Sequence, residues 1–118
     1  MKSLVFTFAV AALAVANVAS AHAHLHMSTP VNHSIIAEVP KQVSLQFNEP
    51  VMLTSLTIQK GDGPVTKLGP LPDVPAKDFA LAAPKLDSGS YIVKWRAVSD
   101  DGHIMADKLL FTVGPAAK

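Results

Sequence analysis

In the stretch Tyr91-Ile92-Val93-Lys94-Trp95-Arg96-Ala97, the residues Tyr91, Val93, Trp95 and Ala97 fall on one side of an extended chain, and Lys94 and Arg96 on the other. Side chains of a strand alternate between faces, so this period of two predicts a strand with one buried face. The same period recurs in both directions. Val43, Leu45 and Phe47 alternate with Ser44 and Gln46, and Leu56 and Ile58 with Thr57 and Gln59, while Leu109, Phe111 and Val113 make a last strand. Phe79 and Leu81 suggest one more. Gly61-Asp62-Gly63-Pro64 is turn chemistry and predicts a hairpin after Gln59.

Nine prolines, at 30, 40, 50, 64, 70, 72, 75, 84 and 115, leave no room for a long helix after residue 30. The expectation is an all-β domain of five to seven short strands, packed as two sheets with Greek-key links. Trp95 is expected to plug the core between the sheets. The proline-rich segment from Leu68 to Pro75 is expected to be a surface loop.

Composition narrows the function. The 118 residues are 49% hydrophobic and 16% charged, which fits one ordinary domain and excludes a disordered, highly charged chain. Ten basic against nine acidic side chains give no dense positive surface, so nucleic acid is not an expected partner. There are no cysteines, which removes disulfides, thiolate metal sites and cysteine nucleophiles together. A bound metal must take nitrogen, oxygen or thioether donors.

The N-terminus reads as an address. Met1-Lys2 is basic, Leu4 to Val18 is almost wholly apolar, and Ala19-Ser20-Ala21 supplies small residues for cleavage, the three parts of a secretory signal peptide. The apolar run falls short of the roughly 20 residues that span a bilayer, so no membrane insertion is expected after processing. Residues 1–21 are therefore read as leader and 22–118 as the mature domain. Cutting after Ala21 leaves 97 of the 118 residues, with nine basic and nine acidic side chains once Lys2 is gone. A competing site, Ala21-His22-Ala23, would free His24 instead of His22, so either cut places a histidine first.

Four of the five histidines, His22, His24, His26 and His33, stand in the first dozen mature residues, and the fifth, His103, stands in Asp101-Gly102-His103. A leading His22 would offer its imidazole and a new α-amine, a chelating pair. A further imidazole and a carboxylate complete a flattened N,O set of the kind that suits Cu(II) or Ni(II) better than zinc. Asp101 and His103, two apart in sequence with Gly102 to bend between them, can supply both.

The start His22-Ala23-His24-Leu25-His26-Met27-Ser28-Thr29-Pro30, together with Trp95-Arg96-Ala97-Val98-Ser99-Asp100-Asp101-Gly102-His103, resembles the CopC family of periplasmic copper-binding proteins. Phe47-Asn48-Glu49-Pro50 and Leu110-Phe111-Thr112-Val113 extend the resemblance over nearly the whole mature chain. It implies a small immunoglobulin-like β-sandwich holding Cu(II) through His22, by amine and imidazole, with Asp101 and His103. His24 matches a position that is histidine in some members only. The methionine-rich Cu(I) loop of the family is not matched, because Met27, Met52 and Met105 are scattered. The resemblance also implies a role in copper resistance or homeostasis in the periplasm, without turnover, with an inner-membrane copper importer as partner. A monomer is expected.

Two coordination modes stay open at this level. In one, His22 is joined from across the fold by Asp101 and His103. In the other, the amine, two deprotonated amides and the His24 imidazole surround Cu(II) locally. The first is favoured, because Asp101 and His103 would otherwise have no reason to accompany such a terminus. His26 and His33 are expected to face solvent. Two further functions are carried alongside: a copper-dependent oxidative enzyme built on the N-terminal histidine, and a metal-free β-sandwich interaction module.

Overall fold

The computed structural model describes residues 23–114; residues 1–22, which include the expected leader and His22, and 115–118 lie outside the described residues. Seven strands follow one another: β1 (Leu25–Thr29), β2 (Ser34–Ile36), β3 (Gln42–Lys60), β4 (Val65–Lys67), β5 (Ala76–Ala82), β6 (Gly89–Ser99) and β7 (Ile104–Val113). No helix occurs among the described residues.

The two strands expected at Val43–Phe47 and Leu56–Ile58 are one. β3 runs 19 residues and serves both sheets, changing partners at the bend Asn48-Glu49-Pro50. Its first half pairs with β1 on one side and β5 on the other, as Leu25↔Phe47 and Leu45↔Phe79 show. From Val51 onward it pairs with β6, through Val51↔Ser99 to Lys60↔Tyr91, and with β4 at Thr57↔Lys67. β6 pairs in turn with β7 in an unbroken antiparallel register, and β2 joins β7 in parallel. A strand that bends out of one sheet into the next is how a sandwich turns its corner. The predicted all-β sandwich stands, with the hairpin at Gly61–Pro64 closing β3 onto β4.

The core lies between the two sheets. Val43, Leu45 and Val93 are fully buried, and Phe47, Val51, Leu53, Leu56, Phe79, Tyr91 and Phe111 close around them. Trp95 is 5% exposed and meets Phe47 edge to face, with centroids 5.2 Å apart at 82°, so it fills the role expected of it. Its Nε1 has no hydrogen-bond partner among the described residues. The segment 68–75 is a loop as expected, although Leu68 is buried and Leu71 packs on the core, so its ends are tied down.

A polar tie fixes the entry to β6. The Tyr91 hydroxyl donates to the Asp87 carbonyl at 2.8 Å and accepts the Asp87 amide at 3.0 Å, while Lys60 Nζ meets Asp87 Oδ1 at 2.7 Å. The Lys60 ammonium and the Tyr91 hydroxyl hold the Asp87 carboxyl below its ordinary range. Such a hydroxyl, reaching a backbone four residues upstream, staples a loop to the strand that follows it.

Candidate metal centre

The turn between β6 and β7 carries the chemistry. β6 ends at Ser99, whose amide donates to the His103 carbonyl at 2.9 Å, while the Gly102 amide donates to the Ser99 carbonyl at 2.9 Å. Gly102 sits at φ 87°, in the left-handed region, with open space around it. Glycine is therefore required there by conformation rather than by crowding.

Within this turn Asp101 and His103 are brought together. His103 Nδ1 lies 2.9 Å from Asp101 Oδ2, the Ser99 hydroxyl donates to Asp101 Oδ1, and the His103 amide approaches the same oxygen at 3.3 Å. The Ser99 hydroxyl first, and the His103 ring second, lower the Asp101 carboxyl to about 2. An ionised Asp101 has no proton to give, so the proton in their hydrogen bond belongs to His103 Nδ1. A carboxylate has about four lone-pair directions; the three contacts above use two on Oδ1 and one on Oδ2. Both side chains are more than half exposed, so the donors open to solvent.

The N-terminal strand is tied to the bend of β3. Ala23 is 8% exposed and joins the core. The His24 amide donates to Asn48 Oδ1, and the Asn48 amide returns a bond to the His24 carbonyl at 3.1 Å. Asn48 lies in the β3 bend, three residues before Val51, and Val51 is paired with Ser99 at the root of the turn. One bend of β3 thus has the entering chain on one side and the Asp101–His103 turn on the other.

The remaining candidates are placed as follows. His22 lies outside the described residues. The His24 side chain is exposed, and with His26 it borders a groove of about 830 Å³ between β1 and β7. Neither Asp101 nor His103 lines that groove. His26 and His33 are exposed, as expected. Among the described residues no three histidine, aspartate or glutamate side chains gather in metal-binding geometry. Asn48 and Ser99 are the positioning residues that the sequence did not assign. Asn48 is 24 residues from the backbone it holds, beyond the reach of any local spacing rule.

The CopC domain model matches residues 25–114. The chain is 34% identical to copper resistance protein C of Escherichia coli, over 86% of this chain and 88% of that protein. Among solved structures it is similar to CopC from Methylosinus trichosporium OB3b, at 35% identity and TM-score 0.70, covering 82% of this chain and 98% of that one. It is also similar to PcoC, a methionine-rich copper resistance protein from Escherichia coli, at 30% identity and TM-score 0.57, covering 80% of this chain and all of that one.

Proposed function

The chain belongs to the CopC family, and from that premise we propose that it is an exported Cu(II)-binding protein that sequesters or delivers copper in the periplasm without turning it over. The observation that carries the reading is the Asp101–His103 pair, one β3 bend away from the backbone of His24. His22 supplies amine and imidazole, His103 an imidazole nitrogen and Asp101 a carboxylate oxygen, with copper taking the place of the hydrogen bond that joins the last two in its absence. The donors are nitrogen and oxygen, a set that favours Cu(II) over the softer Cu(I).

One feature favours this bridged site over the local one. The local mode needs the His24 amide nitrogen as a deprotonated ligand, and that amide is engaged by Asn48. Breaking the clamp is the cost of that mode. Ala23, buried in the core, also favours cleavage after Ala21, because a cut after Ala23 would remove a core residue along with His22.

The test is the intact mass of the exported protein with its metal retained. The expected result is a chain beginning at His22 with one copper ion. Adding one residue before His22 should abolish the site while leaving the fold intact. Unchanged copper affinity in that extended protein would overturn the assignment.

A further inference from the structure

The outer face of the β4–β3–β6–β7 sheet carries a row of cations that the copper reading does not use. Thr57 is paired with Lys67 on one side and Lys94 on the other, and Lys94 is paired directly with Lys108. Cross-strand partners point to the same face, so Lys67, Thr57, Lys94 and Lys108 form one line across four strands. Arg96 stands on the same face of β6, opposite Ser55. All four cationic side chains are exposed.

No acid pairs with them among the described residues. No aspartate or glutamate stands in register with them on β4, β6, β7 or β3 beyond Ser55, and none of these four cations is in an ion pair among the described residues. Asp107, paired with Trp95, alternates to the other side of β7 but borders the same depression as Lys94, Arg96 and Lys108, its Oδ1 accepting the Lys108 amide at 2.8 Å. Like charges directly opposite on neighbouring strands repel, and Lys94 against Lys108 is such a pair. The mature domain balances nine acids with nine bases, yet four of the bases share this face. A near-neutral protein is thereby given a one-sided field.

We propose that this row is the docking surface for an acidic, extended segment of a partner protein. The dimensions match. Neighbouring strands lie about 4.8 Å apart, so four strands set a row about 14 Å long. An extended chain repeats every second side chain at roughly 6.7 Å, so three alternating carboxylates span about 13 Å. The Ser55 and Thr57 hydroxyls between the cations can bond carboxylate oxygens as well. A line of charges one residue wide fits a chain better than a lipid surface, which would meet the whole face. The proposal needs neither copper nor His22.

The experiment titrates the ¹⁵N-labelled exported protein with the peptide Glu-Thr-Glu-Thr-Glu-Thr, its Gln-Thr counterpart, and vesicles containing 30% phosphatidylglycerol. The acidic peptide should move the amides of Thr57, Lys94, Arg96 and Lys108, and the neutral peptide should not. Raising salt from 0.05 to 0.3 M should weaken binding at least fivefold. Lys94→Glu with Lys108→Glu should weaken it tenfold or more, and Lys94→Gln with Lys108→Gln should do so by an intermediate amount without lowering the thermal midpoint. Shifts confined to other faces, equal binding of the neutral peptide, or binding to vesicles alone would overturn the proposal.

Discussion

Asn48 holds His24 by both of its backbone groups, accepting the amide on its side-chain oxygen and giving its own amide to the carbonyl. The entering chain is therefore fixed in direction and register before any metal arrives, which is the kind of outer support that commonly alters metal affinity by 10–100-fold. Asn48→Ala should weaken Cu(II) binding about tenfold, measured by competition with a chelator of known affinity. If His24 and its amide were the true ligands, releasing the clamp would tighten binding instead. His33→Ala serves as control and should change nothing.

Asp101 gives a pH signature of its own. Its carboxyl is lowered to about 2 by the Ser99 hydroxyl and the His103 ring. The folded value lies below the unfolded one of about 3.9, so the stabilisation is whole above that and lost as pH falls towards 2. Apo wild type should melt above Asp101→Asn at pH 5, and the gap should close by pH 2. Copper affinity should fail earlier, between pH 8 and 5, where model imidazoles and α-amines take up protons. A single shared transition in both measurements would contradict this separation.

Gly102→Ala places a Cβ in the left-handed region, which is unfavourable by about 1 kcal/mol or more. With open space around the residue, the turn should relax rather than clash. The expected outcome is a small loss of stability in urea denaturation together with a tenfold or greater loss of copper affinity, because Asp101 and His103 straddle the residue that moves. Affinity that tracks stability alone would sink this account.

In the core, Leu53→Ala should cost about 2–5 kcal/mol, since the side chain is 2% exposed and leaves a cavity. Tyr91→Phe keeps the ring on Phe111, with which it stacks at 5.3 Å, and removes only the hydroxyl tie to Asp87. Its cost should be about 1 kcal/mol. Chemical denaturation distinguishes the two, and neither change should alter copper affinity.

Much of the fold was legible because alternation survives wherever one face is buried. Tyr91 to Ala97 and Leu109 to Val113 obey it residue by residue. Of the elements that escaped, two did so for evident physical reasons. Pro50 reads as a stop, yet it sits inside β3, where the strand bends between sheets and one ladder partner is exchanged for another. β1 carries a register shift between Leu25 and Met27, which breaks the period of two over five residues. Of the proposed metal centre, Asp101 and His103 were named from spacing and resemblance; what the structure adds is the hydrogen bond between them. Asn48 was not, because its role exists only once β1 has docked.

With Ala23 sunk among core side chains and His24 tied to Asn48, the fold begins at once: under the proposed cleavage a single amino acid, His22, precedes it in sequence. An aminopeptidase removing that one residue would leave a protein that still folds, melts and migrates as before, yet carries no cargo. Folding quality control and metal competence are thereby uncoupled, and an assay of one says nothing about the other.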